Sequence, residues 1–361
     1  MEFGSELPQS RWARFKEWIR THQRATIVIV GVFLIVAASA GAYTYYVLTT
    51  PPPPDTTPIA VKPKPKYYAP LTGLLVKSEA ATKKPVTAIM IENSPDARPQ
   101  SGLKDAEIVY EAVAEGGITR FMALYQQKKP QLIGPVRSVR MYYVQWVTPY
   151  NASVAHIGGS AKALKLVRSG GYRDIDQFFN DAYYWRATDR YAPHNVYTSF
   201  AKLDALNRAK GYKTSNPKTF ERTDVEPAEK VTARKVNITI SSPLYNSVYT
   251  YSKKTNSYLR AQAGQPHTDR EKGQIRADVV IALRVNMSLV FEDGYRESIK
   301  TTGTGKAVIF QGGKAYRVTW ERPNVKSQYS FKDAEGQPFT LARGTTWISA
   351  VPNDGGAVSW Q

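Results

Sequence analysis

The sequence predicts an α+β fold: a mixed α/β unit over 69–229, a mostly antiparallel β unit over 230–361, and one transmembrane helix ahead of both. Three observations predict it. An uncharged run occupies 25–48. Between 69 and 229, strand-like apolar stretches are interspersed with helical ones. From about Lys230 onward, short stretches alternate apolar and polar residues between Gly, Asn and Asp turns. A chain of 361 residues with 42% hydrophobic content has enough apolar mass for two folded units.

The anchor comes first. Residues 25–48, ATIVIVGVFLIVAASAGAYTYYVL, run for 24 residues without a charge. At about 1.5 Å per residue, a helix of that length crosses the ~30 Å hydrocarbon core of a bilayer. Tyr43, Tyr45 and Tyr46 cluster at one end, where interfacial aromatics sit. Arg11, Arg14, Lys16, Arg20 and Arg24 precede the run, offset by Glu17, and no basic residue follows until Lys62. The positive-inside rule then gives a cytoplasmic tail over 1–24 and places everything after Leu48 outside the cell membrane, in a single pass. A cleavable signal peptide is the alternative, but the run is long for one and its small residues Ala37 to Ala42 lie inside it. A Pro/Lys/Thr spacer covers 49–68, and its prolines favour extended polyproline II.

In the α/β unit, VTAIMIEN (86–93), AEIVYEAVAE (106–115) and ITRFMALYQQ (118–127) read as strands, the last two joined at Gly116-Gly117. A helix is expected over 139–148 with Ser138 as its N-cap. ASVAHI (152–157) is a short strand, Gly158-Gly159-Ser160 turns into a second helix, and a third runs from Ser199 to Gly211. In the β unit, Gly312-Gly313 joins strands 306–311 and 314–321, and FKDAEGQPFTL reads as strand, turn, strand. There is no internal repeat.

Formal net charge is +19, and residues 1–66 hold eight basic and four acidic groups, so +15 belongs to the rest. Such a field attracts polyanions. Outside a membrane these are lipid head groups and phosphate-bearing wall polymers, and nucleic acid is not expected; an excess that merely keeps the surface soluble is the plainer account. The absence of cysteine excludes disulfide frameworks, thiolate metal sites and cysteine nucleophiles.

The stretch GPVRSVR (134–140) places Arg137 and Arg140 around Ser138. With Ser138 capping a helix, free N–H groups and two guanidiniums would meet an anion there, as they meet phosphate elsewhere. Salt bridges from these arginines to Glu111 or Glu115 are the alternative. In a hairpin pairing symmetrically about the glycines, Val113 opposes Arg120, Glu115 opposes Ile118, and Glu111 lies diagonal to Arg120. HIGGSAKAL repeats the strand–turn–helix pattern with His156, Gly158, Gly159 and Ser160, but it is neither a GxGxxG fingerprint nor a P-loop. WRATDRYAPHNVYTS gathers Arg186, Asp189, Arg190, His194 and Asn195 in one loop. His156 and His194, with Glu111 or Glu115, supply acid–base chemistry if the fold brings them together. No HExxH spacing appears, so no metal is expected, nor any cofactor. His267 and Asp269 read as part of a polar loop.

The stretch IENSPDARPQSGLKDAEIVYEAVAEGGITRFMALY, with GPVRSVR, HIGGS, APHNVYTS and the C-terminal TWERPNVKSQYSFKDAEGQPFTLARGTTWISAVP, resembles the YerB-like family of bacterial envelope proteins across 69–361. The family's two consecutive domains have no assigned function. Many relatives look like lipoproteins with a lipid-attached cysteine; lacking cysteine, this chain would be held by its helix. The resemblance marks Glu92, Asn93, Arg98, Glu111, Glu115, Arg120, Arg137, Arg140, His156, His194 and Asn195 as recurrent polar positions. The expected function is binding of an anionic envelope ligand in an arginine-lined cleft. Hydrolysis or transfer on wall glycan or a polyprenyl-pyrophosphate conjugate is one alternative, and a role as adaptor for an envelope protein partner is another.

Overall fold

The computed structural model describes residues 10–51, 65–291 and 294–361, and of Tyr295 the backbone alone. Most of the proline spacer therefore lies outside the described residues. The chain divides into two compact units, Met1–Lys64 and Pro65–Gln361.

In the first unit, helix α1 (Arg11–Thr21) opens with the Ser10 hydroxyl accepting from the Ala13 N–H, and α2 spans Gln23–Thr49. Helix α2 is long and apolar enough to cross a membrane, and none of its side chains is buried by protein.

The second unit is α+β and is organised by one mixed sheet of ten strands. In chain order its strands, and those of the sheet below, are β1 (Thr87–Glu92), β2 (Ile108–Glu115), β3 (Ile118–Tyr125), β4 (Ser153–His156), β5 (Arg173–Asp176), β6 (Lys235–Thr239), β7 (Ser247–Ser252), β8 (Ser257–Gln262), β9 (Val279–Val285), β10 (Gly303–Gln311), β11 (Lys314–Arg322), β12 (Ser330–Lys332), β13 (Thr346–Pro352) and β14 (Ala357–Trp360). The large sheet runs β12-β11-β10-β9-β13-β2-β3-β1-β4-β5, while β8-β7-β6-β14 forms the spine of an antiparallel second sheet.

Both faces of the large sheet are covered, which is why β1 is buried at every position instead of alternating. One face packs Met90, Tyr110, Met122 and Ile281 against α4 (Met141–Val147), where Tyr142, Tyr143 and Trp146 fill the layer. The other packs Ile89, Phe121, Val280 and Trp347 against α6 (Phe200–Ala209) and the second sheet's Val236, Tyr249 and Tyr258. The helices between, α3 (Glu79–Thr82) and α5 (Ala161–Val167), are short.

The expected boundary near 229–230 does not divide this sheet. Strand β13, from the end of the chain, lies parallel between β9 and β2, so one ladder joins residues on both sides of the boundary. The part after 230 is accordingly not all antiparallel. The FKDAEGQPFTL stretch differs as well: after β12 and a turn bridged at Lys332 and Pro338, Leu341–Ala342 leaves to pair in parallel with Arg222–Thr223.

Candidate functional site

Strands β1, β4 and β5 are parallel, and their carboxyl ends bring Glu92, His156 and Asp176 to one rim. In open sheets this rim is where ligands bind. The segment 134–140 crosses it as extended chain: Val136 bridges Ile91, the Arg137 N–H donates to the Met90 carbonyl, and Val139 bridges Gly159.

That crossing overturns the expected anion grip. Ser138 does not cap the helix; its carbonyl accepts from Arg120 Nη1 at 2.8 Å, and extended Arg140 occupies the cap position without a side-chain capping bond. The helix that follows has seven residues. Arg120 Nη2 lies 2.7 Å from Glu115 Oε1, and Arg140 Nε donates to Glu115 Oε2 at 3.0 Å. Arg137 Nε stands 3.0 Å from Glu92 Oε1, although its N–H is not aimed there. Arg120 and Arg140 thus share the Glu115 carboxylate, and Arg137 stands beside Glu92, so all three are engaged by acids within the fold. Burial pushes the Glu115 carboxyl up, but Arg120 and Arg140 outweigh it and hold it at about 2.

Glu111 belongs to no cleft. It is buried, receives both Nη2 bonds of Arg260 at 3.0 Å, and accepts from the Trp347 indole at 2.9 Å. The hairpin keeps Glu115 opposite Ile118, but an irregularity between Val113 and Glu115 shifts the rest of the register: Arg120 opposes Ala112 instead of Val113, and Glu111 opposes Phe121 on the other sheet face. His267 is buried beside the same arginine. Burial and then the Arg260 and Arg98 charges push its imidazole well below its ordinary range, so it is neutral, accepting from Arg260 at Nδ1 and donating to Gln100 Oε1 from Nε2. It is a core residue, not the loop residue expected.

His156 is fully buried, with Nε2 2.9 Å from Asp174 Oδ1 and Nδ1 2.8 Å from the Gly158 carbonyl. It has no face to solvent and does not meet His194. Gly158 turns with φ +61°, its N–H donating to Asp176 Oδ1, and a Cβ on Gly159 would strike Val139. Ser160 precedes the seven-residue α5 without a side-chain cap bond. These residues pack the turn.

What does open to solvent lies beyond Glu92. Its Oε1 is 2.9 Å from His194 Nδ1 and accepts from the Ser94 hydroxyl at 3.1 Å, while buried Oε2 has no hydrogen-bond partner among the described residues. His194 is thereby oriented with Nε2 away from Glu92, 3.9 Å from Asp96 Oδ2. It lines a cleft of about 710 Å³ together with Asp96, Arg98, Asp189, Arg190, Tyr191 and Arg270.

Arg98 donates to Asn93 Oδ1 and to the Asn93 and Leu244 carbonyls, and its guanidinium lies over the Tyr245 ring. Arg190 donates to the Asp96 and Pro99 carbonyls at 3.0 and 2.6 Å. Among the described residues neither arginine has a carboxylate partner. Asn93 also donates to Thr119, and Asn195 ties the loop by accepting from Arg186 and donating to the Ala187 and Arg190 carbonyls. These two asparagines are positioning residues.

Glu92, Asn93, Arg98, Arg137, His194 and Asn195 thus converge, whereas Glu111, Glu115, Arg120, Arg140 and His156 do not reach the cleft. Sequence reasoning missed Ser94, Asp96 and Arg270. The last comes from GQPHTDREKG, whose charged HTDREK core was the available signal.

A family model described as "Protein of unknown function (DUF3048) N-terminal domain" matches residues 71–213, and its C-terminal counterpart matches 236–348. A Bacillus subtilis (strain 168) protein named "Putative lipoprotein YerB" is 35% identical over 293 residues, 80% of this chain and 87% of the relative. The crystal structure of YerB from Bacillus subtilis superposes with a TM-score of 0.72 at 31% identity, covering 81% of this chain and 100% of that one. The chain therefore belongs to the YerB-like family, built from the N- and C-terminal DUF3048 domains of unknown function.

Proposed function

We propose that the protein is anchored by α2 and holds an anionic ligand of the cell envelope in the cleft beyond Glu92. The observation carrying this reading is that Arg98 and Arg190 are fixed by neutral carbonyls and an asparagine, leaving their charge for a ligand. A guanidinium held this way meets a phosphate or carboxylate without first breaking an ion pair. Five basic residues before the uncharged run 25–48 and none after it until Lys62 support an outward-facing second unit. The grip differs from the expected one: Arg137 acts through Glu92, while Arg120 and Arg140 are held by Glu115 and by the Ser138 and Val139 carbonyls.

The test uses the full chain in detergent micelles with inorganic phosphate as probe. Arg98→Gln with Arg190→Gln is expected to abolish phosphate-dependent thermal stabilisation, a loss of about 1.5–3 kcal/mol per charge-assisted bond. Stabilisation equal to that of the parent overturns the reading.

The Glu92–His194 pair favours a second reading, hydrolysis or transfer on a wall glycan or polyprenyl-pyrophosphate conjugate. A carboxylate on Nδ1 fixes the ring and leaves Nε2 for proton transfer in the cleft. Turnover of a labelled wall precursor that His194→Gln abolishes, with phosphate binding retained, would establish it.

A further inference from the structure

The cleft does not end at Arg270. A second depression of about 440 Å³ shares Asp189 and Arg270 with it and continues to Trp185, Tyr197 and Leu132. The Arg270–Asp189 ion pair, 2.5 Å long and half-exposed, stands between the two. Trp185 and Tyr197 are directly opposite in a short antiparallel pair, so they share one face. Trp185 is 36% exposed, and Tyr197 beside it is buried with its hydroxyl toward the Arg270 guanidinium. At the other end Tyr191 is 89% exposed. The result is an elongated groove: an aromatic wall, a charged middle, then the two arginines lacking carboxylate partners.

We propose that this groove takes an anionic oligosaccharide, a reading that rests on the anion site above and names its substrate class. The apolar face of a sugar ring lies against Trp185, its hydroxyls donate to Asp189, and its acidic substituent reaches Arg98 and Arg190. The acids decide against a nucleic-acid strand. A ligand with a phosphate at every residue would be repelled by Asp96, Asp189 and Glu271, whereas a hydroxyl-rich ligand with sparser charges uses those carboxylates as acceptors.

The experiment compares four probes on the full chain in micelles: inorganic phosphate, a ten-residue oligothymidylate, and the neutral and anionic oligosaccharide pools released from Bacillus subtilis walls. The anionic pool is expected to bind at least tenfold more tightly than the other three. Trp185→Ala, at a partly exposed position, is expected to weaken the anionic pool tenfold or more and leave phosphate unchanged, with Trp185→Phe restoring most of the loss. Indifference of the anionic pool to Trp185→Ala, or preference for the neutral pool or oligothymidylate, overturns the proposal while leaving the anion site intact. Phosphate binding that ignores Arg98→Gln and Arg190→Gln removes the anion site itself.

Discussion

Glu111 and Glu115 stand four residues apart on β2, yet the irregularity between Val113 and Glu115 sends them to opposite faces. Glu111 is sealed against Arg260 and Trp347, whereas Glu115 keeps a quarter of its side chain in water while holding Arg120 and Arg140. The second arrangement makes a pH prediction. The folded-state pKa, about 2, lies below the ordinary glutamate value of 4.5, so the stabilisation is present above the unfolded value and is lost as pH falls toward 2. At about 1.36 kcal/mol per unit the contribution reaches roughly 3 kcal/mol. Urea unfolding from pH 7 to pH 2 should show the gap between the parent and Glu115→Gln largest near neutrality, narrowing below about 4.5 and closing near 2. A gap independent of pH would mean that the two arginines do not depend on this carboxylate.

At the scale of elements, sequence and structure part where local pattern yields to tertiary contact. Strands 86–93, 106–115 and 118–127, the helix from Ser199, and the Gly312-Gly313 turn were legible because periodicity and turn residues act over a few positions. GPVRSVR was not: the need for Arg137 to bond across to Met90 holds it extended, and that partner is remote in sequence. The cleft was half legible for the same reason. The loop carrying His194 and Asn195 reads as functional from its density of polar residues, but no local signal says that Glu92 orients His194 or that Arg270 arrives from the other half. Gly159 tests how tightly the crossing is packed. A Cβ there would lie 2.7 Å from Val139 Cγ1 and 2.9 Å from the Val139 carbonyl oxygen, while one on Gly171 would meet nothing within 4 Å. Gly159→Ala should therefore cost about 1–3 kcal/mol by overpacking, with Gly171→Ala near neutral. Equal thermal midpoints for the two variants would show that segment 134–140 gives way freely.

On the scale of the whole molecule, the question is why two family models describe one folded body. The answer lies in β13. Its ladder to β9 runs from Val279 opposite Thr346 to Val285 opposite Pro352, and its ladder to β2 from Ile108 opposite Thr346 to Glu111 opposite Ser349. Removing it would separate the two halves of the sheet and uncover an edge on each. It would also expose the surfaces packed on Trp347, Ile348, Ala350 and Val351, all at most 2% exposed. At about 1.5–3 kcal/mol for each large apolar side chain, that burial is comparable to the 5–15 kcal/mol that holds a typical domain folded. Glu111 would lose its indole donor as well. Deleting 345–361 should therefore unfold residues far upstream, the cleft included, although nothing in the N-terminal family match is cut. Circular dichroism and urea titration of the truncated chain are expected to show no cooperative transition, and adding a peptide of residues 345–361 should restore one. A truncated chain that still melts cooperatively would mean that the N-terminal half folds independently of β13 and that the shared sheet is only a docking of two finished domains.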